Sequence, residues 1–599
     1  MQDDNKNLIL AMALSLIVLL GWSVLFPPEE QTPLDQAQLQ EQQQELGDLT
    51  DGAPGVTGGD AAAVPAESRD EVVADSPRIQ IESGHLSGSL SLTGGRIDDL
   101  HLIEYRETLD EDSDTVTLLN PRGGPRSYYV QHGWAPGGGL APDLVPGSAT
   151  EWQVESGETL TPDSPVTLVW DNGEGLTFRK RFAVDDDYMF TVTQSVENTT
   201  EDSLRMYPYG VVARIGEPET VGFYILHEGI VRAIDGQIAE IDYDELPDFD
   251  FSQREGANVE IVEAAESGWI GFTDKYWMTA LIPQEGPFST VARYNERADS
   301  YQTQVRLPVR DVPAGATVES TTQVFAGAKE REVLTRYEEA GVSNFVDSID
   351  WGWFYFLTKP IHWLLGAFYS VIGNYGWSII ALTLFIKALL FPLAYKSYVS
   401  MSKMKKLQPE MEKIKEKAGD DRMKLQQEMM ALYKKEKVNP AAGCLPILLQ
   451  IPIFFSLYKV LFVAIEMRQA PFFGWVQDLS APDPTSWMNL FGLLPWGAPD
   501  PASFVAILSI GVWPILMGIT MWLQQKLNPA PADKTQAMIF AWLPFVFMFM
   551  LGGFAAGLVI YWVANNTITF LQQYAIMRSQ GVKVDLLGNI LKKNKAEAK

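Results

Sequence analysis

The chain has 599 residues, with 46 Lys+Arg against 76 Asp+Glu, a formal net charge of −30, five His and one Cys. The length suggests about three or four domain-sized units, and the lone Cys444 excludes an intramolecular disulfide and any multi-cysteine zinc or iron–sulfur site. The acidic balance argues against a generic nucleic-acid binder, DNA included. The average hides a division, however. Residues 29–350 hold 60 acidic and 21 basic residues, a net of −39, and the remainder holds 16 acidic and 25 basic, a net of +9. Such asymmetry marks a membrane protein with a large domain on one side.

In chain order, Leu8 to Phe26 is an uncharged apolar run. Its length, about 30 Å as a helix, is enough to cross a bilayer core. A cleaved signal peptide competes with this reading, but the run ends in Pro27-Pro28 without a small-x-small site, so residues 1–28 are read as a transmembrane signal anchor. Residues 29–77, rich in Gln, Glu, Gly, Ala and Pro, read as a flexible linker with too little apolar content to pack. Residues 78–345 show strand alternation. Tyr188, Phe190, Val192 and Val196 fall on one face with Thr191 and Thr193 on the other, Val305, Leu307 and Val309 repeat the pattern, and Asp171-Asn172-Gly173 and Asp235-Gly236 read as turns. This segment is expected to be an all-β sandwich.

The chain then turns apolar. Residues 346–375 read as an interfacial amphipathic helix whose aromatics (Trp351, Trp353, Phe354, Phe356, Trp363) suit the headgroup level. A second span is expected at 376–395 and a cytoplasmic helical hairpin at 396–440. Residues 441–577 hold spans three to six, at 444–463, 504–523, 537–551 and 554–574, the last two as a tight hairpin. A basic tail covers 578–599. Residues 396–437 carry 12 basic and 7 acidic residues, and 575–599 carry 6 and 2. By the positive-inside rule both are cytoplasmic. Six spans then put both termini inside a bacterial inner membrane and residues 29–350 in the periplasm.

The chemistry concentrates in the helical half. The histidines at 85, 101, 132 and 227 have no metal-ligand spacing, and a solvated surface is the plain reading of the β domain's many carboxylates, although large sandwiches also serve as sugar enzymes or binders. Lys387 lies about 13 Å inside the second span, where a charge is costly unless it meets water, a partner or an interface. It reads either as a snorkelling lysine or as part of a wet cavity open to the cytoplasm, which Thr383, Gln450, Asn565 and Asn566 would help hydrate. In the hairpin, Met404, Leu407, Met411 and Ile414, then Leu425, Met429 and Leu432, recur at helix period around a break at Gly419-Asp420-Asp421. Two readings stay open: a charged, solvated spacer, or an adaptable Met-rich contact surface. A secondary transporter would show repeated halves and an intramembrane acid, neither of which is seen, and an anchored carbohydrate enzyme would need only one span.

Several long motifs carry a resemblance. NPAAGCLPILLQIPIFFSLYKVL (439–461), Lys387 followed by FPLAYKSYVSMSKMKKLQPEM (391–411), EMMALYKKEKVNP (428–440), EMRQAP (466–471), GLVIYWVANNTITFLQQY (557–574), WGWFYFLTKPIHWLL (351–365) and YPYGVVARIG (207–216) resemble the YidC family of membrane protein insertases over nearly the whole chain. The resemblance implies a six-span membrane bundle with a five-helix core, a periplasmic β-supersandwich, and insertion of nascent inner-membrane proteins, alone or beside the Sec translocon. It implies no enzymatic activity, no cofactor and no metal. It also implies a hydrophilic groove, open to cytoplasm and lipid, whose positive charge falls on Lys387, with Thr383 as a groove threonine and Tyr561 and Trp562 as the aromatic pair that contacts nascent segments. Trp562 departs from the Tyr common there. Ribosomes and membrane lipids are further implied partners, with the chain as a monomer or part of a larger translocon complex. Residues 485–502 look like an insertion in the periplasmic loop before the fourth span.

Overall fold

The computed structural model describes residues 68–582 except 111, 139, 221–225, 420, 437, 439–444, 497–498, 500–507 and 529–533. The expected N-terminal anchor, most of the linker, Cys444 and the basic tail from 583 onward lie outside the described residues.

The linker ends earlier than expected. Arg69–Asp75 forms a helix, α1, because Ser68 and Glu71 make a reciprocal capping box, and Arg69 ties it to the β domain through Asp99. From Arg78 to Ala328 the described chain is two sheets of twelve and nine strands, closed by helix α2 (Arg331–Glu339). Nearly every pairing is antiparallel. The expected alternation is present: Tyr188, Phe190, Val192 and Val196 are fully buried, while Thr191 and Thr193 face outward on Met189–Asn198. Their strand runs between Leu176–Val184 and Thr317–Ala328 and packs with Phe178, Phe182, Trp269, Phe272 and Phe325. Asp235-Gly236 makes a two-residue hairpin turn, both residues at positive φ, which pins Ile234 opposite Gln237.

The amphipathic segment resolves into a short 3-10 turn (Phe345–Ser348) and helix α3 (Tyr355–Ile372). Phe356 and Trp363 on α3, and Trp353 just before it, are exposed. Trp351 is a correction: it is buried in the β-domain core, its indole N–H donating to the Val346 carbonyl at 3.0 Å.

The second span and the first arm of the hairpin form one helix, and the chain breaks at Gly419, where the hairpin turn is expected. Helix α4 runs unbroken from Tyr375 to Ala418, 44 residues, about 66 Å. Pro392 and Pro409 lie inside it, and after Gly376 in its first turn no glycine occurs before Gly419. The hairpin's second arm is α5 (Arg422–Lys435). Four α-helices follow among the described residues: α6 (Leu445–Val463), α7 (Val512–Leu527), α8 (Lys534–Met550) and α9 (Ala556–Ser579). Helix α7 starts later than expected. Its first free N–H groups are capped by Asp483 (from Trp513 N, 2.8 Å) and Thr485 (from Val512 N, 3.0 Å), and Gly511 is required there because a Cβ would meet Asp483 at 2.6 Å. The expected tight pairing of the last two helices is also corrected: α8 packs chiefly on α7, and α9 packs on α4 and α7. Among the described residues, α4 alone is both long and apolar enough to cross a membrane by length and composition; Gln450–Val463 and Met538–Met550 are apolar but shorter.

The two halves share a core. Val463 and Ile465, at the end of α6, join the β-domain cluster. Lys459 of α6 is buried against Asp350, and Asp350 also accepts from the His227 N–H at 3.0 Å. Arg468 and Gln469 donate to backbone carbonyls at 106–108.

Candidate functional site

Helices α4, α6 and α9 each place one polar side chain toward the same point between apolar faces. Lys387 Nζ donates to Gln450 Oε1 at 3.2 Å, and Gln450 Nε2 donates to the Tyr561 hydroxyl at 2.8 Å. The amide is the one side chain that serves both neighbours, since its oxygen accepts from the ammonium while its nitrogen donates to the phenol. Tyr561 is buried in the bundle core with Ile379, Leu382 and Leu457, and Lys387 and Gln450 are half-buried. An ammonium has three donors; the described residues give Lys387 one partner, and among them no carboxylate pairs with it. The site is therefore a lysine held from one side by a neutral amide and left with donor capacity.

The other expected residues surround this relay without joining it. Thr383 is buried one turn before Lys387, and its hydroxyl donates to the Ile379 carbonyl of its own helix at 2.7 Å. Trp562 is half-buried and stacks on Phe454, centroids 5.1 Å apart, starting a column that continues through Tyr458 and Phe462 along α6. Asn565 contacts Asn566 at 3.5 Å, and its Oδ1 has no hydrogen-bond partner among the described residues.

Below the bundle, Met404, Leu407, Met411 and Met429 are half-buried rather than presented to solvent. Met404 packs on a small cluster of Tyr398, Met401 and Ile576, and Tyr433 of α5 lies 4.0 Å from the Met411 sulfur. The exposed methionines of the hairpin are Met423 and Met430. Two lysines fix its base: Lys405 donates to the Leu527 carbonyl ending α7 (3.2 Å), and Lys406 to the Gln580 carbonyl beyond α9 (2.7 Å). Cations at helix C-termini are favourably placed.

Sequence reasoning missed Lys459 and Lys275. Lys275, pushed down to about 8 by burial, sits 4.0 Å over the Phe462 ring. For Lys459 the available signal was a lysine inside the apolar run that carries Gln450.

Comparison with known proteins follows the same division. Residues 78–364 match the family model of the YidC periplasmic domain, and residues 367–583 match that of the 60Kd inner membrane protein. A membrane protein insertase YidC of Dinoroseobacter shibae is 62% identical over 602 residues, 99% of this chain and 98% of the relative. One from Roseobacter denitrificans is 58% identical over 608 residues, 100% of both chains. A solved structure of an active YidC insertase with its first transmembrane domain resolved covers 91% of this chain and 99% of its own, at 17% identity and a TM-score of 0.35. The chain is an inner-membrane protein with a periplasmic β domain, and it belongs to the YidC family of membrane protein insertases.

Proposed function

We propose that this chain inserts and folds nascent inner-membrane proteins through a short, wet, positively charged groove centred on Lys387. The observation that carries this reading is the Lys387–Gln450–Tyr561 relay: a cation held on three apolar helices by neutral partners, with donor capacity to spare. A polar segment of a client chain is drawn to that charge and crosses part of the bilayer in its company, which lowers the cost of desolvation. The apolar segment leaves sideways along Trp562, Phe454 and the exposed Ile451 and Phe455 of α6, driven by partition into lipid. No covalent step or cofactor takes part. In this reading the chain crosses the membrane six times, with a five-helix core and both termini in the cytoplasm. The basic hairpin and tail face arriving ribosomes and nascent chains, and the Sec translocon is an optional partner.

The test is reconstitution of this protein alone in liposomes with a nascent single-span client, reading protease-protected insertion. Lys387→Ala is expected to slow insertion several-fold and Lys387→Glu more, because reversal repels acidic client segments. Normal insertion of several clients by well-expressed Lys387→Ala protein would overturn the reading.

A further inference from the structure

The loop before α7 carries no assigned role. Residues 484–499 contain no charged side chain, on the face of the molecule where residues 29–350 carry a net −39. Within it Trp487, Leu490, Phe491, Leu493 and Trp496 are all exposed, Leu493 at 84%. A water-facing loop turns its polar groups outward, but this one spends them internally. The Trp487 indole donates to the Leu508 carbonyl at 2.7 Å and the Trp496 indole to the Met488 carbonyl at 3.2 Å. The Asn489 amide bridges the Trp496 carbonyl and the Gly492 N–H, and the backbone N–H groups of Phe491 and Leu494 reach the Ser486 and Asn489 carbonyls. Leu490 and Phe491 both hold left-handed φ, 51° and 59°, a strained choice for bulky residues that leaves their side chains outside.

The neighbouring helix says what covers this surface. Helix α7 has 16 residues, about 24 Å, some 6 Å less than a typical bilayer core. Its C-terminal end is held at the cytoplasmic side by Lys405, so the deficit falls at the periplasmic end, where the loop is fastened by Asp483, Thr485 and the Ser486–Ser509 contact. At the same end, Trp377, Phe473 and Trp513 form an aromatic cluster with centroids 6.0 Å apart, the residue types of a headgroup belt. Backbone at such a depth must satisfy its own hydrogen bonds, and the N–H groups of Trp487, Met488, Leu490, Phe491, Gly492, Leu493 and Leu494 find partners within the loop or on Ile510.

We propose that residues 486–496 form a lipid anchor seated in the periplasmic leaflet, completing the apolar height that the short α7 lacks. This rests on the reading that the helices span the membrane. The test uses full-length protein with Cys444→Ser, reconstituted in phosphatidylethanolamine/phosphatidylglycerol liposomes. Spin labels are placed singly at Leu493→Cys and Trp496→Cys, with Leu389→Cys (exposed on α4) as the lipid reference and Gly173→Cys (a β-domain turn) as the water reference. Collisional access to oxygen and to a nickel chelate is read at each site. The loop labels are expected to show an oxygen-to-nickel ratio at least threefold above that at Gly173→Cys. Loop ratios equal to that at Gly173→Cys, with Leu389→Cys reading as lipid, would overturn the anchor and leave the loop as a water-facing or protein-docking surface. A water-like ratio at Leu389→Cys would instead overturn the spanning reading itself.

Discussion

If the relay is a working unit, its three members should be energetically coupled in a specific order. The perturbations are Lys387→Met, Gln450→Leu and Tyr561→Phe, each close to isosteric, alone and in all combinations. The Lys387–Gln450 bond is charge-assisted, which roughly doubles a neutral bond of about 1 kcal/mol, but at 3.2 Å it is longer than the usual charge-assisted range. Membrane cycles average about 0.6 kcal/mol and reach about 1.7. A coupling of about 1 kcal/mol, roughly fivefold in rate, is therefore expected for Lys387 with Gln450. About 0.6 kcal/mol, roughly threefold, is expected for the neutral 2.8 Å bond between Gln450 and Tyr561. Lys387 and Tyr561 share no direct bond, so any coupling between them passes through the amide and should fall below about 0.3 kcal/mol in the Gln450→Leu background. The assay is the rate of protease-protected insertion in proteoliposomes. Additive single-residue effects for Lys387 and Gln450, or Lys387–Tyr561 coupling that survives Gln450→Leu, would refute the relay.

Three further outcomes are expected. Burial pushes Lys180 down to about 7, so between about pH 7 and its unfolded value near 10.4 the unfolded chain binds more protons and stability rises with pH, by at most about 1.4 kcal/mol per unit; Lys180→Met should remove that slope in urea titrations followed by tryptophan fluorescence, and an unchanged slope would count against it. Asp350→Asn takes the ion-pair partner from buried Lys459 and should destabilise by about 3 kcal/mol, with Lys459→Met in the same chain recovering most of it; equal stability of Asp350→Asn and the parent in thermal unfolding would show that the pair does not hold the halves together. Lys405→Gln weakens the tie to the end of α7, worth about 1 kcal/mol or less, and should raise hydrogen exchange at the start of the hairpin up to about fivefold, whereas Lys413→Gln, exposed further along α4, should leave it unchanged.

How much was legible depended on whether a residue's meaning was local. The strand Met189–Asn198 could be read because period-two alternation is a property of neighbours, and its buried face is the expected one. Lys387 stood out because a charge inside an apolar run is conspicuous anywhere, and Gln450 was a candidate as a polar amide inside another such run. That the Gln450 amide joins Lys387 to Tyr561 was not legible: it depends on the rotation of three helices drawn from positions 63 and 111 residues apart. Trp351 misled for a related reason. Aromatics beside a membrane segment suit the headgroup level, but the Val346 carbonyl five residues back gives this indole a partner inside the β domain. Asp350, the partner of Lys459, was hidden among the domain's acidic residues and lies 109 positions away.

These long-range contacts converge on α6. At one end Gln450 faces Lys387 and Tyr561. Nine residues further, about 13 Å along the helix, Lys459 is clamped by Asp350, which also holds the His227 backbone. Between them the column of Phe454, Tyr458 and Phe462 runs from Trp562 on α9 up to Lys275 of the β domain. A helix restrained at one end alone can rotate about its axis, and a turn of a few tens of degrees would carry the Gln450 amide out of reach of Lys387, since its bond there is already long. With Lys459 and Phe462 held by the periplasmic domain, that rotation is opposed without any direct bond between the domain and Lys387 among the described residues. The β domain thus acts on the charged site as a fixed mount for α6, and a loosened Lys459–Asp350 pair should be felt first in the Lys387–Gln450 coupling.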